Sequence, residues 1–297
     1  MSASAQLQIE KQRLVLVTGP SGAGRSTAIN ALEDLGYESI DNLPLSLLPR
    51  LLQGPAHDRP LALGLDTRNR EFSTIALMDA IAELSLQTSF DFDVLYLDCS
   101  DDVLLRRFSE TRRRHPMAGS EDPLRGIARE KQMLAVVRAR ADILIDSSDL
   151  SPHNMRAEMT ALFSLEREQG LAVSLHSFSY KRGLPRSADM VLDCRFLRNP
   201  HWELALRPLT GRDMDVAQYV SEDPRYNTFF TQVSTLCGSL LPAYLEEGKS
   251  NFSIAFGCTG GRHRSVVVTE AIAQVLAQAG WQVSCRHREL DRVTSAI

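Results

Sequence analysis

The sequence predicts an α/β protein of two domains: a parallel sheet flanked by helices that carries a P-loop, then a second, smaller α/β unit. Three observations lead there. A chain of 297 residues exceeds the ~100–200 of an ordinary single domain. Short apolar runs alternate with longer periodic segments through the first half, the pattern of βαβ units with both sheet faces covered. A glycine-rich loop stands between an apolar strand and a helical run in each half.

The elements follow in order. Residues 13–18 (RLVLVT), 61–65 (LALGL), 94–98 (VLYLD) and 143–146 (ILID) are brief and apolar with polar boundaries, so they read as buried strands. Helices are expected near residues 26–35, 72–87, 102–114 and 127–141. In the second of these, Ile75, Met78, Ala82 and Leu86 carry the 3.6 period. A helix over 154–169 stops at Gly170, and the domain boundary is placed beside it, giving domains of 1–165 and 170–297. The second half opens with strands at 171–178 and 190–194, and irregular sequence is expected from 197 to 212. A helix over 226–247, a strand at 252–256, a helix over 265–278 ending at Gly280, and a strand at 282–286 complete the chain.

Composition narrows the function. Hydrophobic residues at 43% and charged residues at 24% exclude a disordered or fibrous chain. A net charge of −4 argues against a wholesale polybasic nucleic-acid binder and leaves room for a local basic patch. No apolar run reaches the ~18 residues of a membrane helix, and residues 1–13 have no signal-peptide core. Cys99, Cys194, Cys237, Cys258 and Cys285 form neither a disulfide framework nor a close metal-binding pair of cysteines, so a reduced, cytoplasmic protein is expected.

The first loop, Gly19, Pro20, Ser21, Gly22, Ala23, Gly24, Arg25 and Ser26, matches the P-loop pattern everywhere except at the lysine, which here is Arg25. Glycines let successive backbone N–H groups face a phosphate, and Ser26 would hold Mg²⁺ through its hydroxyl. Arg25 keeps the charge in a bulkier, planar fork. Asp66 and Asp98 end strands, so either could serve as the acidic partner toward Mg²⁺. Residues 106–140 hold ten Lys or Arg against four acids. Arg112, Arg113, Arg114, His115 and Pro116 read there as a lid over a phosphate site, a solvated basic helix face, or discrete RNA-phosphate contacts.

The second loop, residues 257–265, reads Gly257-Cys258-Thr259-Gly260-Gly261-Arg262-His263-Arg264-Ser265. Its Cys-x₅-Arg-Ser spacing is that of cysteine phosphatases, where N–H groups ring a phosphate and the arginine clamps it. Gly257 stands where a histidine is common, which favours binding over hydrolysis. Asp193, Cys194 and Arg195 end another strand, and Asn199, Pro200, His201 and Trp202 supply further polar groups. The basic C-terminal stretch Arg286, His287, Arg288 is either a solvated tail or an RNA contact.

These blocks, with Ser39-Ile40-Asp41-Asn42-Leu43-Pro44, the DTRN of Asp66, Thr67, Arg68 and Asn69, the RPLTG of residues 207–211, and GCTGGRHRSV, resemble the RapZ/YvcJ family of bacterial nucleotide-binding proteins. The resemblance implies a P-loop kinase-like N-terminal domain binding ATP and GTP with weak hydrolysis. Residues 19–26 would be the nucleotide loop, and Asp66 to Asn69 the guanine-nucleotide segment. It implies a C-terminal domain that takes an amino-sugar phosphate, glucosamine-6-phosphate, in some members. The contacts there would be Asp193, Arg195, His201, Thr210, Gly211, Cys258, Thr259, Gly260, Gly261, His263 and Arg264. It also implies a homo-oligomer and, for certain members, an RNA-binding adapter that presents a small regulatory RNA to a ribonuclease. Two features depart from the family: Arg25, which bears on the hydrolysis rate, and the less basic end after Glu289, which bears on the RNA role.

The leading expectation is a regulatory nucleotide-binding protein with weak ATPase and GTPase activity, in which Arg25 and Ser26 act on the γ-phosphate. The alternatives are a small-molecule kinase, for which Asp41 is the best acceptor-activating carboxylate, an RNA adapter without catalysis, and a phosphatase using Cys258.

Overall fold

The computed structural model describes residues 11–52, 59–69, 72–87, 89–111, 114–119, 121–164 and 171–294, with residues 292–294 described by their backbone alone. The chain divides into two compact units, Met1–Arg167 and Glu168–Ile297.

The first unit runs β1 (Gln12–Thr18), α1 (Arg25–Asp34), β2 (Glu38–Ile40), a 3₁₀ turn, α2 (Leu48–Leu52), β3 (Leu61–Gly64), α3 (Thr74–Leu86), β4 (Phe90–Asp98), α4 (Asp101–Thr111), α5 (Pro123–Ala139), β5 (Ile143–Asp146) and α6 (Pro152–Phe163). Its five strands are all parallel in the order β2-β3-β1-β4-β5. Leu14, Leu16, Leu63, Val94 and Tyr96 form the floor of a core closed by Leu77, Ile81, Leu84, Leu134 and Val137. The near-continuous burial of β1 and β3 is what a parallel strand covered on both faces requires.

Two expectations need correction here. The apolar face of α3 is Leu77, Ile81 and Leu84, whereas Ile75 and Leu86 are exposed at 75% and 84% and Ala82 is exposed too. This helix is apolar on more than one stripe, and packing against α5 selects between them. Helix α4 is described through Thr111, and Arg114, the expected last residue, is not helical. Arg112 and Arg113 lie outside the described residues, as does the boundary expected beside Gly170. Helix α6 starts at Pro152, where the Ser151 side chain accepts the Asn154 N–H as an N-cap.

The second unit runs β6 (Ala172–Ser179), a 3₁₀ turn, β7 (Met190–Asp193), a second 3₁₀ turn (Pro200–Trp202), α7 (Met214–Ser221), α8 (Tyr226–Glu246), β8 (Asn251–Cys258), α9 (Arg264–Gln278), β9 (Gln282–His287) and α10 (Arg288–Thr294). Its sheet is parallel in the order β7-β8-β6-β9. Leu175, Ile254 and Phe256 pack under Val216, Val233, Leu241, Val268 and Ile272. The C-terminal stretch is not a solvated tail: Arg286 pairs with Asp291 at 3.4 Å, and the Arg288 guanidinium donates to the Gly183 carbonyl at 3.1 Å.

Candidate functional site

Strand β1 delivers its last residue, Thr18, into the middle of the first sheet, where the strand order places β3 on one side and β4 on the other. The loop that follows has little room. A Cβ on Gly19, which sits at φ +146°, would stand 2.2 Å from the Leu97 carbonyl oxygen. Only glycine fits that approach. The Ala23 N–H closes the turn onto the Pro20 carbonyl at 3.0 Å. Gly24, at φ +100°, hands the chain to α1, whose first turn aims N–H groups at the loop.

A cavity of about 460 Å³ opens over residues 20–27. Arg68, Arg107, Arg114 and Pro116 line one part of it and Ser147, Ser151 and Met155 another. Arg107 spans the loop and the end of β5, donating to the Gly22 carbonyl at 2.9 Å and to the Ser147 carbonyl at 2.7 Å. Of the basic residues counted between 106 and 140, four of the eight described ones are paired with acids elsewhere. Arg106 faces Glu110, Arg129 faces Glu121, Lys131 faces Asp101, and Arg138 faces Asp98.

Arg25 is buried, and its fork points beneath the loop. Nε donates to Asp41 at 3.1 Å, Nη1 to the Leu65 carbonyl at 3.4 Å, and Nη2 pairs with Asp66. Asp66 is 1% exposed and also receives Arg68. Burial by itself raises the Asp66 carboxyl, but the hydrogen bonds from Arg68 and Arg25 overcome it and hold it below the usual value. Asp98, the other carboxylate considered for Mg²⁺, is bound to Arg138 and is not among the residues lining the cavity. The carboxylate beside Ser26 is instead Asp41, which accepts the Ser26 hydroxyl at 3.1 Å on Oδ2. Ser26 lines the cavity and Asp41 Oδ2 lies beside its hydroxyl, and both are hard oxygen donors, the type that Mg²⁺ takes.

Thr67 and Asn69 complete the segment after β3. The Thr67 hydroxyl bonds Glu130, and the Asn69 N–H closes a turn onto the Asp66 carbonyl. Glu130, read in the sequence only as one of four acids among ten bases, is a hub of this site. It is fully buried, accepts both the N–H and the hydroxyl of Ser21 at 2.9 Å, and lies 3.0 Å from His115 Nε2. The Met117 N–H donates to His115 Nδ1, so Nε2 carries the hydrogen that Glu130 accepts. Glu130 thus ties the glycine loop, the segment after β3 and the residues after α4 to one carboxylate. A signal was present: Glu130 falls in register with the buried Ile127, Leu134 and Val137.

In the second unit the register sets Asp193 beside Gly257 and Ser179 beside Cys258, so three strands end together. Ligands of open parallel sheets bind at that edge. Cys258 is buried, 3.1 Å from the Ser265 hydroxyl, and its sulfur accepts the Gly261 N–H at 3.2 Å. A Cβ on Gly261, at φ +66°, would meet Glu289 and the Ser179 backbone. Thr259 and Gly260 are exposed at the loop tip. Arg264 is buried and braces the site from behind: Nη1 donates to the carbonyls of Arg195 and Leu197, and Nη2 to the Thr259 hydroxyl at 3.2 Å. Its Nε is buried with no partner among the described residues.

Arg195 forms a forked pair with Asp193 and stacks 4.1 Å over the Tyr180 ring, a residue the sequence reading passed over. His263 faces the other way, bonding the Leu209 carbonyl at 2.8 Å, and burial holds its imidazole below the usual value. Gly211 seats that side of the loop, its N–H on the Arg262 carbonyl, and the Thr210 hydroxyl bonds Asp213. His201 is exposed on the 3₁₀ turn capped by Asn199. The structure therefore gathers Asp193, Arg195, Cys258, Thr259, Gly261 and Arg264. It sets His263, Thr210 and Gly211 on the loop's flank.

A P-loop α/β unit followed by a second parallel α/β unit with its own glycine loop defines the class. A model of RapZ-like N-terminal domains matches residues 12–167, and a model of RapZ C-terminal domains matches residues 171–291. The chain belongs to the RapZ family. It is 56% identical over 289 residues to a protein of Cereibacter sphaeroides named a nucleotide-binding protein, covering 97% of this chain and 96% of that one. Proteins of the same name from Dinoroseobacter shibae and Ruegeria pomeroyi are each 59% identical, over 95% and 93% of this chain and 94% and 97% of theirs.

Proposed function

We propose that the first unit binds ATP and GTP with Mg²⁺ and hydrolyses them slowly, as part of a regulatory protein whose second unit takes glucosamine-6-phosphate. The observation that carries the nucleotide reading is the cavity over residues 20–27, floored by a P-loop and the start of α1 and edged by Arg68, Arg107 and Arg114. The relatives' shared name supports it. The loop and the α1 amides hold the phosphates. Ser26 and Asp41 would hold Mg²⁺, which would supply neutralisation of the phosphate charge when bound. Arg25, engaged by Asp41 and Asp66, positions the base of the loop instead of clamping the γ-phosphate, and this supports slow turnover. Asp66 to Asn69 form the segment nearest the base.

In the second unit the exposed loop after β8 receives the sugar's phosphate, and Asp193, freed from Arg195, takes its ammonium. The kinase reading has Asp41 as its acceptor base, the carboxylate that the present reading gives to Mg²⁺ beside Ser26. The RNA-adapter reading has less behind it, since Arg286 and Arg288 are engaged within the second unit.

Ser26→Ala tests the nucleotide reading. Mg²⁺-dependent release of phosphate from ATP and GTP is expected to fall to the background rate, while the fold, measured by circular dichroism, stays intact. Unchanged turnover in a malachite-green assay would remove this loop from the chemistry.

A further inference from the structure

In the second unit, outside the loop after β8, three donors of different chemistry converge on one point. His287 and Cys285 lie two residues apart on β9 and so share a face of the strand. Glu270 projects from α9 to meet them. His287 Nε2 is 2.8 Å from Glu270 Oε1 and 3.8 Å from Cys285 Sγ, and the three ligand atoms all lie within 4.8 Å of one another.

We propose that Cys285, His287 and Glu270 bind one Zn²⁺ ion. The first argument is which nitrogen is used. In a catalytic relay the carboxylate and the thiol would address opposite nitrogens of the ring. Here both address Nε2, and Nδ1 is taken by the buried Ser177 hydroxyl at 2.8 Å. A hydrogen-bonded Nδ1 fixes the imidazole so that Nε2 faces a metal, the usual arrangement of a ligating histidine. The second argument is the donor set: thiolate, imidazole and carboxylate together suit Zn²⁺ and not Mg²⁺ or Ca²⁺.

The third argument is access. A cavity of about 650 Å³ lined by Arg212, Glu270, Gln274 and Cys285 opens beside the donors, leaving room for a water as fourth ligand. Bonds of about 2.0–2.3 Å require Glu270 to withdraw from His287 by about half an ångström. Glu270 is 42% exposed and can turn. Arg212, 3.0 Å from Glu270, and Asp291 are the nearby charges. Arg212 is 55% exposed and follows Glu270 outward. On binding, the imidazole proton passes from Nε2 to Nδ1, where Ser177 accepts it, and the Cys285 thiol proton leaves to solvent. The proposal stands independently of the nucleotide and sugar-phosphate readings.

The test uses the full-length protein, stripped with chelator, and Zn²⁺ or Co²⁺ alone as probe. One Zn²⁺ per chain is expected, and Co²⁺ should give a sulfur-to-metal charge-transfer band with tetrahedral visible bands. Cys285→Ser should abolish the band, and Glu270→Gln should weaken Zn²⁺ binding. Ser177→Ala, which touches no metal, should weaken it by about 10-fold or more. Chain stoichiometry of zero after equilibration with excess Zn²⁺ would overturn the site. So would a charge-transfer band or Zn²⁺ affinity that survives Cys285→Ser and Glu270→Gln, which would place the metal elsewhere.

Discussion

Replacing Glu130 by alanine is expected to lower the stability of the first unit by about 4 kcal/mol. Two mechanisms add. The Ser21 N–H and hydroxyl, the Thr67 hydroxyl and His115 Nε2 all lose their fully buried acceptor. Each buried group left unpaired costs about 1–3 kcal/mol. A cavity opens between Ile127 and Leu134, at further cost. Some relief comes when Ser21 and Thr67 turn toward solvent. Glu130→Gln keeps the volume but places an N–H₂ against donors, so it should lose less in stability and still loosen the glycine loop. Urea unfolding followed by fluorescence measures both variants. A loss below about 1 kcal/mol for the alanine variant would show that the network is dispensable.

Arg25→Ala is the second large effect, with an expected loss of about 3 kcal/mol. Removing one partner of a buried ion pair costs about 3–5 kcal/mol, because the other charge stays buried. Asp66 is 1% exposed and Arg25 is 6% exposed. Arg68 remains on Asp66, which sets the value at the low end. The effect has a pH signature. Asp66 is held below its ordinary value in the folded chain, so its contribution is complete above the unfolded value and is lost as pH falls through the folded one. The gap between native and variant protein should be full at pH 7 and narrow below about pH 4. A gap that widens on acidification would contradict the ion pair. Nucleotide affinity should fall less than stability does, since the fork is engaged by Asp41, the Leu65 carbonyl and Asp66.

The sequence made the architecture of both sheets legible because parallel strands buried on two faces are short, continuous apolar runs. It made both loops legible because a glycine turn between strand and helix is local. Strand β2 escaped notice because three residues, Glu38, Ser39 and Ile40, are too few to show a period. Helix α7 lay at the edge of a stretch read as irregular, and Met214 at its start is 86% exposed, which blurs its stripe.

The direction of Arg25 was out of reach for a different reason. The loop pattern identifies the residue that stands where the phosphate-binding lysine is usual, but the carboxylates that claim the fork come from Asp41 and Asp66. Their nearness depends on β3 lying beside β1, and the sequence does not state strand order. Glu130 could have been found. It was counted among four acids against ten bases, yet a carboxyl side chain in register with Ile127, Leu134 and Val137 must be buried, and a buried carboxyl group must have hydrogen-bond partners. His287 stands one residue past the strand expected at 282–286, although its alternation with Cys285 extends that strand, while the arrival of Glu270 from α9 is tertiary.

The central claim is that the loop of residues 19–26 binds a nucleoside triphosphate and turns it over slowly in a protein that senses a sugar phosphate. Phosphorus NMR of the purified protein with Mg²⁺-ATP and glucosamine-6-phosphate, together and separately, tests it most directly. The expected spectra show ATP resonances broadened by binding, inorganic phosphate arising slowly from ATP alone, and a rate that changes when the sugar phosphate is present. ATP resonances that stay sharp with no phosphate released, or a new sugar bisphosphate signal, would contradict it.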